Sequence, residues 1–449
     1  MLHVTSVHSE GGAPVILGKE NWLFYRYEIL DASESAGTDI SLDLVRRFNK
    51  VLFANGIGMA MAIVPLKMRI YSEYLPDNIK TNDYMSRNYE RASRALREAR
   101  VNVVDLNSAF MDGARRNTES PLFFRLDTHW SPAGALLAAE TIMAGIQVNP
   151  ALKAALDATP EENYKMVSGS LKRPFKGGDL IAQLPKMSPA VAPEQVAPLV
   201  VKRVPSDKEG LTGSRQPTGI ALVGSSYSYA WTGFQDALRY ALQRDVSSLA
   251  VGVGQGAWSG METYLRSNQF QAHGPRLLIW EMPERELRGP PDYRFRDTRF
   301  ASDNNEWLLR VSALAQRNCR PAMAMPRLAR VSLAAKSANV LGEDVVAGPT
   351  KDGDFIQIDF DKPIETLDYL SVRVTTAGSM ALILEGSGPG VPTRRFTLSM
   401  PGDDVAQTTK IALPSNGAGF SKVRIFPGKS NGFKFQGLQV CRQPEDLLS

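Results

Sequence analysis

Four histidines occur in this chain, His3, His8, His129 and His273. Only His129 has a carboxylate two positions before it and an aromatic directly after, in Asp127-Thr128-His129-Trp130. An Asp-x-His pair can place both side chains on one side of an extended segment. That arrangement suits a carboxylate that orients an imidazole base. A base needs a proton to take, and Ser226 offers one, directly beyond the apolar run Ile220-Ala221-Leu222-Val223-Gly224. A serine hydroxyl is a poor nucleophile unless such a base stands beside it. A third stretch, Gly252-Val253-Gly254-Gln255-Gly256, would let backbone amides approach a ligand. The N–H groups of its three glycines could then join that of Ser226 around an oxyanion.

Each of these stretches also has a plain structural reading. His129 lies beside Ser131-Pro132, a good helix start. Gly224-Ser225-Ser226 would serve as a helix cap, and the glycines as a turn that packs helix against strand. The glycine stretch does not fit the dinucleotide pattern G-x-G-x-x-G, and it lacks the Lys-Ser/Thr of a phosphate loop.

The surrounding elements decide whether such residues can meet. Leu42 to Ala54 has helical spacing, and Met59-Ala60-Met61-Ala62-Ile63-Val64 reads as a buried parallel strand. Asn88 to Ala99 predicts a second amphipathic helix, and Val101-Asn102-Val103-Val104 a second buried strand. The Asp127/His129 loop leads into a helix from Gly134. Residues from about 149 to 215 are polar and Pro-rich and read as an excursion over the surface. The sheet resumes at Ile220, continues through a helix over Phe234 to Leu242 and a strand from Ser247, and ends with Leu277-Leu278-Ile279-Trp280-Glu281. Helices alternating with buried strands predict an α/β fold with a parallel sheet. Ligands bind such sheets beyond the carboxyl ends of the strands, which is where Ser226 falls.

From Phe355 onward the pattern changes to short alternating strands separated by Gly, Pro and Asp turns, which predicts an all-β sandwich. The expected boundary divides the chain into 1–325 and 326–449. A chain of 449 residues is long enough for such a division. Its formal charge of +5 is small for that length, and its bases are scattered among acids, which argues against a nucleic-acid binder. No run reaches the roughly 18 apolar residues of a membrane span, and the N-terminus lacks a basic start and an apolar core. A cytosolic protein and a mature exported one both fit. Two cysteines are too few for a disulfide scaffold, although they could form one bridge. So few histidines leave no expected metal site. No cofactor is expected either.

Taken in order, Trp22-Leu23-Phe24, Pro65-Leu66-Lys67, Asp127-Thr128-His129-Trp130, Gly224-Ser225-Ser226, Gly252-Val253-Gly254-Gln255-Gly256 and Leu278-Ile279-Trp280-Glu281 resemble the SGNH-hydrolase-like family of polysaccharide O-acetyltransferases typified by AlgX and AlgJ. The resemblance covers about residues 15 to 290. The order is informative: here Asp-x-His precedes the serine, whereas ordinary SGNH hydrolases place the serine first. The β-rich end is similar to the carbohydrate-binding module that AlgX carries and AlgJ lacks.

The resemblance implies a periplasmic protein that acetylates an exopolysaccharide such as alginate, alongside other proteins of polymer synthesis or export. It implies Ser226 as the acylated nucleophile, His129 as its base and Asp127 as the residue orienting His129, with Gly254 or Gly256 helping the Ser226 N–H to hold the oxyanion. It implies a disulfide between Cys319 and Cys441 that locks the module onto the catalytic domain. The asparagine usual in SGNH oxyanion holes is not identifiable. Candidate contacts to an anionic polymer are Arg373, Arg394, Arg395, Lys422, Arg424, Lys429 and Lys434, with Phe396 or Tyr369 stacking on sugar rings; a solvated sandwich face explains the same residues. An esterase with the same three residues and a non-catalytic polysaccharide-binding scaffold are the rival functions. The acetyl donor is left open.

Overall fold

The computed structural model describes residues 13–167, 171–175, 178–184, 192–205, 218–252, 255–294, 296–323, 328–332, 339–341, 345–377, 380–400, 407–412 and 419–449. The chain divides into two units, one ending at Asn304 and the other running from Asn305 to Ser449. The division falls about twenty residues before the boundary expected from the sequence.

The first unit is built on five parallel strands: β1 (Gly58–Val64), β2 (Asn102–Val104), β3 (Ile220–Gly224), β4 (Val246–Ala250) and β5 (Leu277–Pro283). Their order across the sheet is β4-β3-β5-β1-β2, with every neighbouring pair parallel. The main helices are α1 (Ser35–Ala54), α2 (Asp83–Glu98), α3 (Pro132–Val148), α4 (Phe234–Leu242) and α5 (Gly256–Arg266). Alternate residues of a strand point to opposite faces, and β5 shows what covers each. Ile279 joins a cluster with Ile142 of α3 and with Phe234 and Leu238 of α4. Trp280 meets Phe48 of α1 and Trp258 of α5 edge-on, at 6.0 and 5.5 Å between ring centroids. With both faces covered, every residue of β5 is buried, which is why the strand reads as a continuous apolar run rather than an alternating one.

The stretch expected as a surface excursion does more than cross the surface. Its helix Pro150–Asp157 places Leu152 and Leu156 in the main core. Two short antiparallel pairs follow, Tyr164–Met166 with Val201–Arg203 and Arg173–Pro174 with Gln195–Val196.

The second unit opens with α6 (Asn304–Ala315), apart from its first residue. It continues with β6 (Leu328–Ser332), β7 (Asn339–Leu341), β8 (Val345–Thr350), β9 (Phe355–Ile364), β10 (Asp368–Thr376), β11 (Met380–Gly388), β12 (Val391–Met400), β13 (Gln407–Ala412), β14 (Phe420–Phe426) and β15 (Ser430–Arg442). These form two five-stranded antiparallel sheets, β6-β9-β14-β11-β12 and β7-β8-β15-β10-β13. Ile356, Leu384 and Ile425 of one sheet share a core with Leu370, Val372 and Phe435 of the other, so the unit is a sandwich.

Cys319 and Cys441 are bonded, but the expected role of the bond needs correction. Both cysteines belong to the second unit, so the bridge closes that unit on itself. It fastens the segment after α6, which pairs with β15 through Ala322 N–H to Val440 O and Arg442 N–H to Arg320 O.

Candidate active site

Strand β3 ends at Gly224, and a short turn over Ser226–Ser228 follows at once. Glycine is required at 224 because a Cβ there would lie 2.4 Å from Glu281 Oε2 and 2.5 Å from Ser228 Oγ. The Glu281 carboxylate, fully buried at the end of β5, organises the turn. It accepts from Ser225 N–H at 2.8 Å, from Ser225 Oγ at 2.9 Å and from Ser228 Oγ at 2.9 Å. Both serines flanking Ser226 are thus fixed to one carboxyl group. Burial raises that group to about 7, and the serine hydrogen bonds only partly oppose the rise.

The second loop spans Leu122 to Ser131. Its two arms pair through Ser131 N–H to Leu122 O and Phe124 N–H to His129 O. It runs into α3, where Ser131 Oγ accepts from the amides of Ala133 and Gly134 and Pro132 occupies the first turn. The two loops are joined reciprocally. Trp130 Nε1 donates to Tyr227 O at 3.1 Å, and Tyr227 Oη donates to Thr128 O at 2.7 Å.

This junction brings together the three residues singled out in the sequence. His129 Nε2 lies 2.7 Å from Ser226 Oγ, and His129 Nδ1 lies 2.6 Å from Asp127 Oδ1. All three are buried, at 5, 5 and 2% exposure for His129, Ser226 and Asp127. With Asp127 accepting from Nδ1–H, Nε2 presents its lone pair to the serine. Burial alone would raise the Asp127 carboxyl. Hydrogen bonds from the His129 ring and from the amides of Asp179 and His129 outweigh it and hold the group below the usual carboxylate range. Among the described residues no acceptor is seen for the Ser226 N–H.

Several supporting residues escaped the sequence reading. Asp179 accepts from Thr128 N–H at 2.8 Å and from the Thr128 hydroxyl, and its own amide donates to Asp127 Oδ2 at 2.9 Å. Burial, then the nearby Asp127 charge, raises the Asp179 carboxyl. Glu194 accepts from the amides of Arg125 and Leu126 at 2.8 and 2.9 Å. Lys67 is fully buried and donates to Leu23 O, Arg125 O and Asp127 O at 2.6, 3.1 and 2.9 Å. Burial pushes its ammonium down to about 8 against the pull of Glu28 and other carboxylates. The only signals of these roles were Lys67 in its Pro-Leu-Lys run and Glu281 at a strand end. Nothing in the local pattern marked Asp179 or Glu194.

Asp127, His129 and Asp179 place ligand-type atoms within 4.8 Å of one another, a composition that could hold a cation. Those atoms are engaged: Asp127 with His129 and the Asp179 amide, Asp179 with Thr128.

The glycine candidates fare unevenly. Gly254 lies outside the described residues. Gly256 opens α5 at φ +70°, where its near neighbours are Arg296 and Glu286, and the next amide, Ala257 N–H, already donates to Glu286.

In the second unit the basic candidates are divided. Arg394, Arg395, Lys422 and Arg424 lie on the sheet containing β12 and β14, and Arg373 and Lys434 on the other. Lys429 is exposed in the turn between β14 and β15. Arg395 pairs with Glu385, and Arg424 donates to Gln357 and lies over Phe355 at 5.0 Å. Tyr369 is 1% exposed and offers no ring to a sugar. The Phe396 side chain lies outside what the structure describes.

A family model described as the SGNH hydrolase-like domain of acetyltransferase AlgX matches residues 15–284. The probable alginate O-acetylase AlgJ of Pseudomonas aeruginosa is 30% identical over 326 residues, 69% of this chain and 78% of its own length. The Pseudomonas fluorescens AlgJ is 32% identical over 288 residues, covering 62% and 70%. Among solved structures, the O-acetyltransferase domain of Pseudomonas putida AlgJ matches with a TM-score of 0.54 and 27% identity, over 68% of this chain and 99% of that one. Pseudomonas aeruginosa AlgX matches with a TM-score of 0.63 over 96% of this chain and 94% of that one, at 16% identity, a likeness of fold.

Proposed function

This chain belongs to the AlgX family of SGNH hydrolase-like acetyltransferase domains, and from that premise we propose that it carries an acetyl group on Ser226 and delivers it to a hydroxyl of an exopolysaccharide. Alginate is the polymer for which its AlgJ and AlgX relatives are named. One observation carries the assignment of roles: the Ser226 Oγ, His129 Nε2, His129 Nδ1 and Asp127 Oδ1 atoms form an unbroken buried chain of 2.7 and 2.6 Å links.

His129 Nε2 takes the Ser226 proton as Oγ attacks the carbonyl carbon of an acetyl ester donor. The Ser226 N–H faces the oxygen that becomes negative. Collapse expels the donor's alcohol, which leaves with the proton from Nε2, and an acetyl ester remains on Ser226. A sugar hydroxyl then gives its proton to Nε2 and attacks the same carbon, and Ser226 Oγ leaves and recovers that proton. Asp127 keeps Nδ1 protonated and stabilises the imidazolium in both halves. We assign the reaction to the periplasm, where the Cys319–Cys441 bond would persist. The sandwich would hold polymer there and export proteins would adjoin.

Intact-mass spectrometry after incubation with an activated acetyl ester tests the reading. The expected result is one acetyl adduct on Ser226, absent from Ser226→Ala, that passes to an alginate oligosaccharide. An adduct that only hydrolyses would make the protein an esterase, and no adduct would remove Ser226 from the mechanism. His129→Ala is expected to lower the acylation rate by about 10³ or more, because base and nucleophile act as a unit.

A further inference from the structure

Five of the six tryptophans, Trp22, Trp130, Trp258, Trp280 and Trp307, are buried, at 4% exposure or less; Trp231 is 46% exposed. It is also the one beside the reacting atoms with an open surface. Its ring lies 5.0 Å from the His129 ring, the planes nearly perpendicular at 81°. Phe175 stands at 5.6 Å from it and Phe124 at 6.3 Å. Those two rings stack on each other at 4.0 Å and 5°. The mounting is rigid. Trp231 sits in the turn Ala230–Thr232, which the Thr232 hydroxyl ties to Tyr227 O and Tyr229 O and Gly233 closes at φ +78°. Among the described residues its indole N–H has no hydrogen-bond partner.

Exposing so large an apolar ring forgoes the stabilisation that burial gives, and no described contact on its open side explains the exposure. A ligand would. The ligand must present an apolar surface to the indole and a hydroxyl to His129 Nε2, a few ångströms away. A pyranose ring does both: its C–H face stacks on the aromatic surface while its equatorial hydroxyls project from the rim, within reach of the indole N–H and the imidazole. We propose that Trp231, backed by Phe175 and Phe124, is the stacking platform for the acceptor sugar, the residue of the polymer that receives the acetyl group. This rests on the acyl-Ser226 reading above. It adds that a sugar seated there covers the acyl ester from water, so that Trp231 governs whether the acetyl group goes to sugar or to water.

Two measurements test it with the full chain. Acrylamide quenching of fluorescence reads Trp231 selectively, because the other five indoles are buried; Trp231→Phe identifies its component. In Ser226→Ala protein, alginate oligosaccharides are expected to shield that component. In otherwise wild-type protein, Trp231→Ala is expected to raise the acceptor KM, and to shift the partition of acetyl from sugar toward water, by about tenfold each. Trp231→Phe should recover most of both. Oligosaccharides that leave the quenching of Trp231 unchanged, or a Trp231→Ala protein with wild-type acceptor KM and partition, would overturn the platform. A wild type that forms no acetyl-Ser226 would overturn the earlier reading instead, and the shielding experiment would then decide the sugar site alone.

Discussion

Glu281 shows how a residue outside the Ser226–His129–Asp127 chain of contacts can shape the turn that carries the serine. Its carboxyl holds the turn on either side of Ser226 through Ser225 and Ser228, and burial moves it from the ordinary glutamate value of 4.5 to about 7. In the unfolded chain the group ionises first, so between pH 4.5 and 7 the unfolded state binds fewer protons than the folded one. Stability from this group is complete below pH 4.5, falls as pH rises, and levels off above 7, a total change of about 3 kcal/mol. Asp127 has the opposite sign: its depressed value adds stability above the usual aspartate range that is lost as pH falls through it. Glu281→Gln is expected to keep the turn, since the amide oxygen can accept from Ser225 N–H and Ser228 while the NH₂ donates to Ser225 Oγ. It should flatten the decline between pH 4.5 and 7 in urea denaturation. Parallel profiles for variant and wild type would show that Glu281 does not titrate in that window. At this scale the sequence was legible where chemistry is local. Asp127 and His129 are two residues apart, and Ser226 follows its own strand. Glu281 reaches the serines from 53 and 56 residues away, a relation that no spacing rule carries.

Elements explain why two loops far apart in sequence meet within hydrogen-bond distance. The parallel sheet delivers Ser226 at the end of β3, and α3 anchors the His129 loop at its first turn. The final alignment depends on the crossed pair of bonds, Trp130 to Tyr227 O and Tyr227 to Thr128 O. Tyr227→Phe keeps the ring and removes two bonds, leaving the buried Thr128 carbonyl without that donor and Arg285 Nη1 without that acceptor. It is expected to cost about 1–3 kcal/mol of stability in urea denaturation. Acylation should slow by about tenfold or more, since small displacements of a base from its nucleophile are expensive in rate. Wild-type acylation in a destabilised Tyr227→Phe would mean that the loops are aligned by packing alone. The strands were legible because double-sided burial writes continuous apolar runs. The region from 149 to 215 was not, because Asp179 and Glu194 work as single polar side chains under the Asp127 loop and leave no periodic trace. Its core helix, Pro150–Asp157, is only eight residues long and sits in a polar setting.

At the scale of the whole molecule, the position of the domain boundary has a consequence that the disulfide makes testable. The sequence placed the boundary at 325, where the periodicity turns from helical to alternating, but α6 belongs to the sandwich. Its Leu314 carbonyl and that of Gln316 just beyond it accept from Lys410, its Leu309 carbonyl accepts from Gln443, and Trp307, Leu308 and Leu314 along it are buried. A chain cut at 325 would keep Cys319 without Cys441 and the helix without its donors. A chain cut at 303 would leave neither orphaned. The shorter protein is therefore expected to unfold at higher temperature and to run as a cleaner single species in size-exclusion chromatography, and to retain acetylation of Ser226 from a small ester. The reverse order of stability would assign α6 to the first unit. In the intact protein, reducing the Cys319–Cys441 bond opens a loop of 122 residues confined to the second unit. Chain entropy alone puts the loss at about 5 kcal/mol. It should appear in the unfolding transition of the sandwich, with acylation of Ser226 unchanged; a parallel fall in acylation would tie the bridge to the catalytic unit after all.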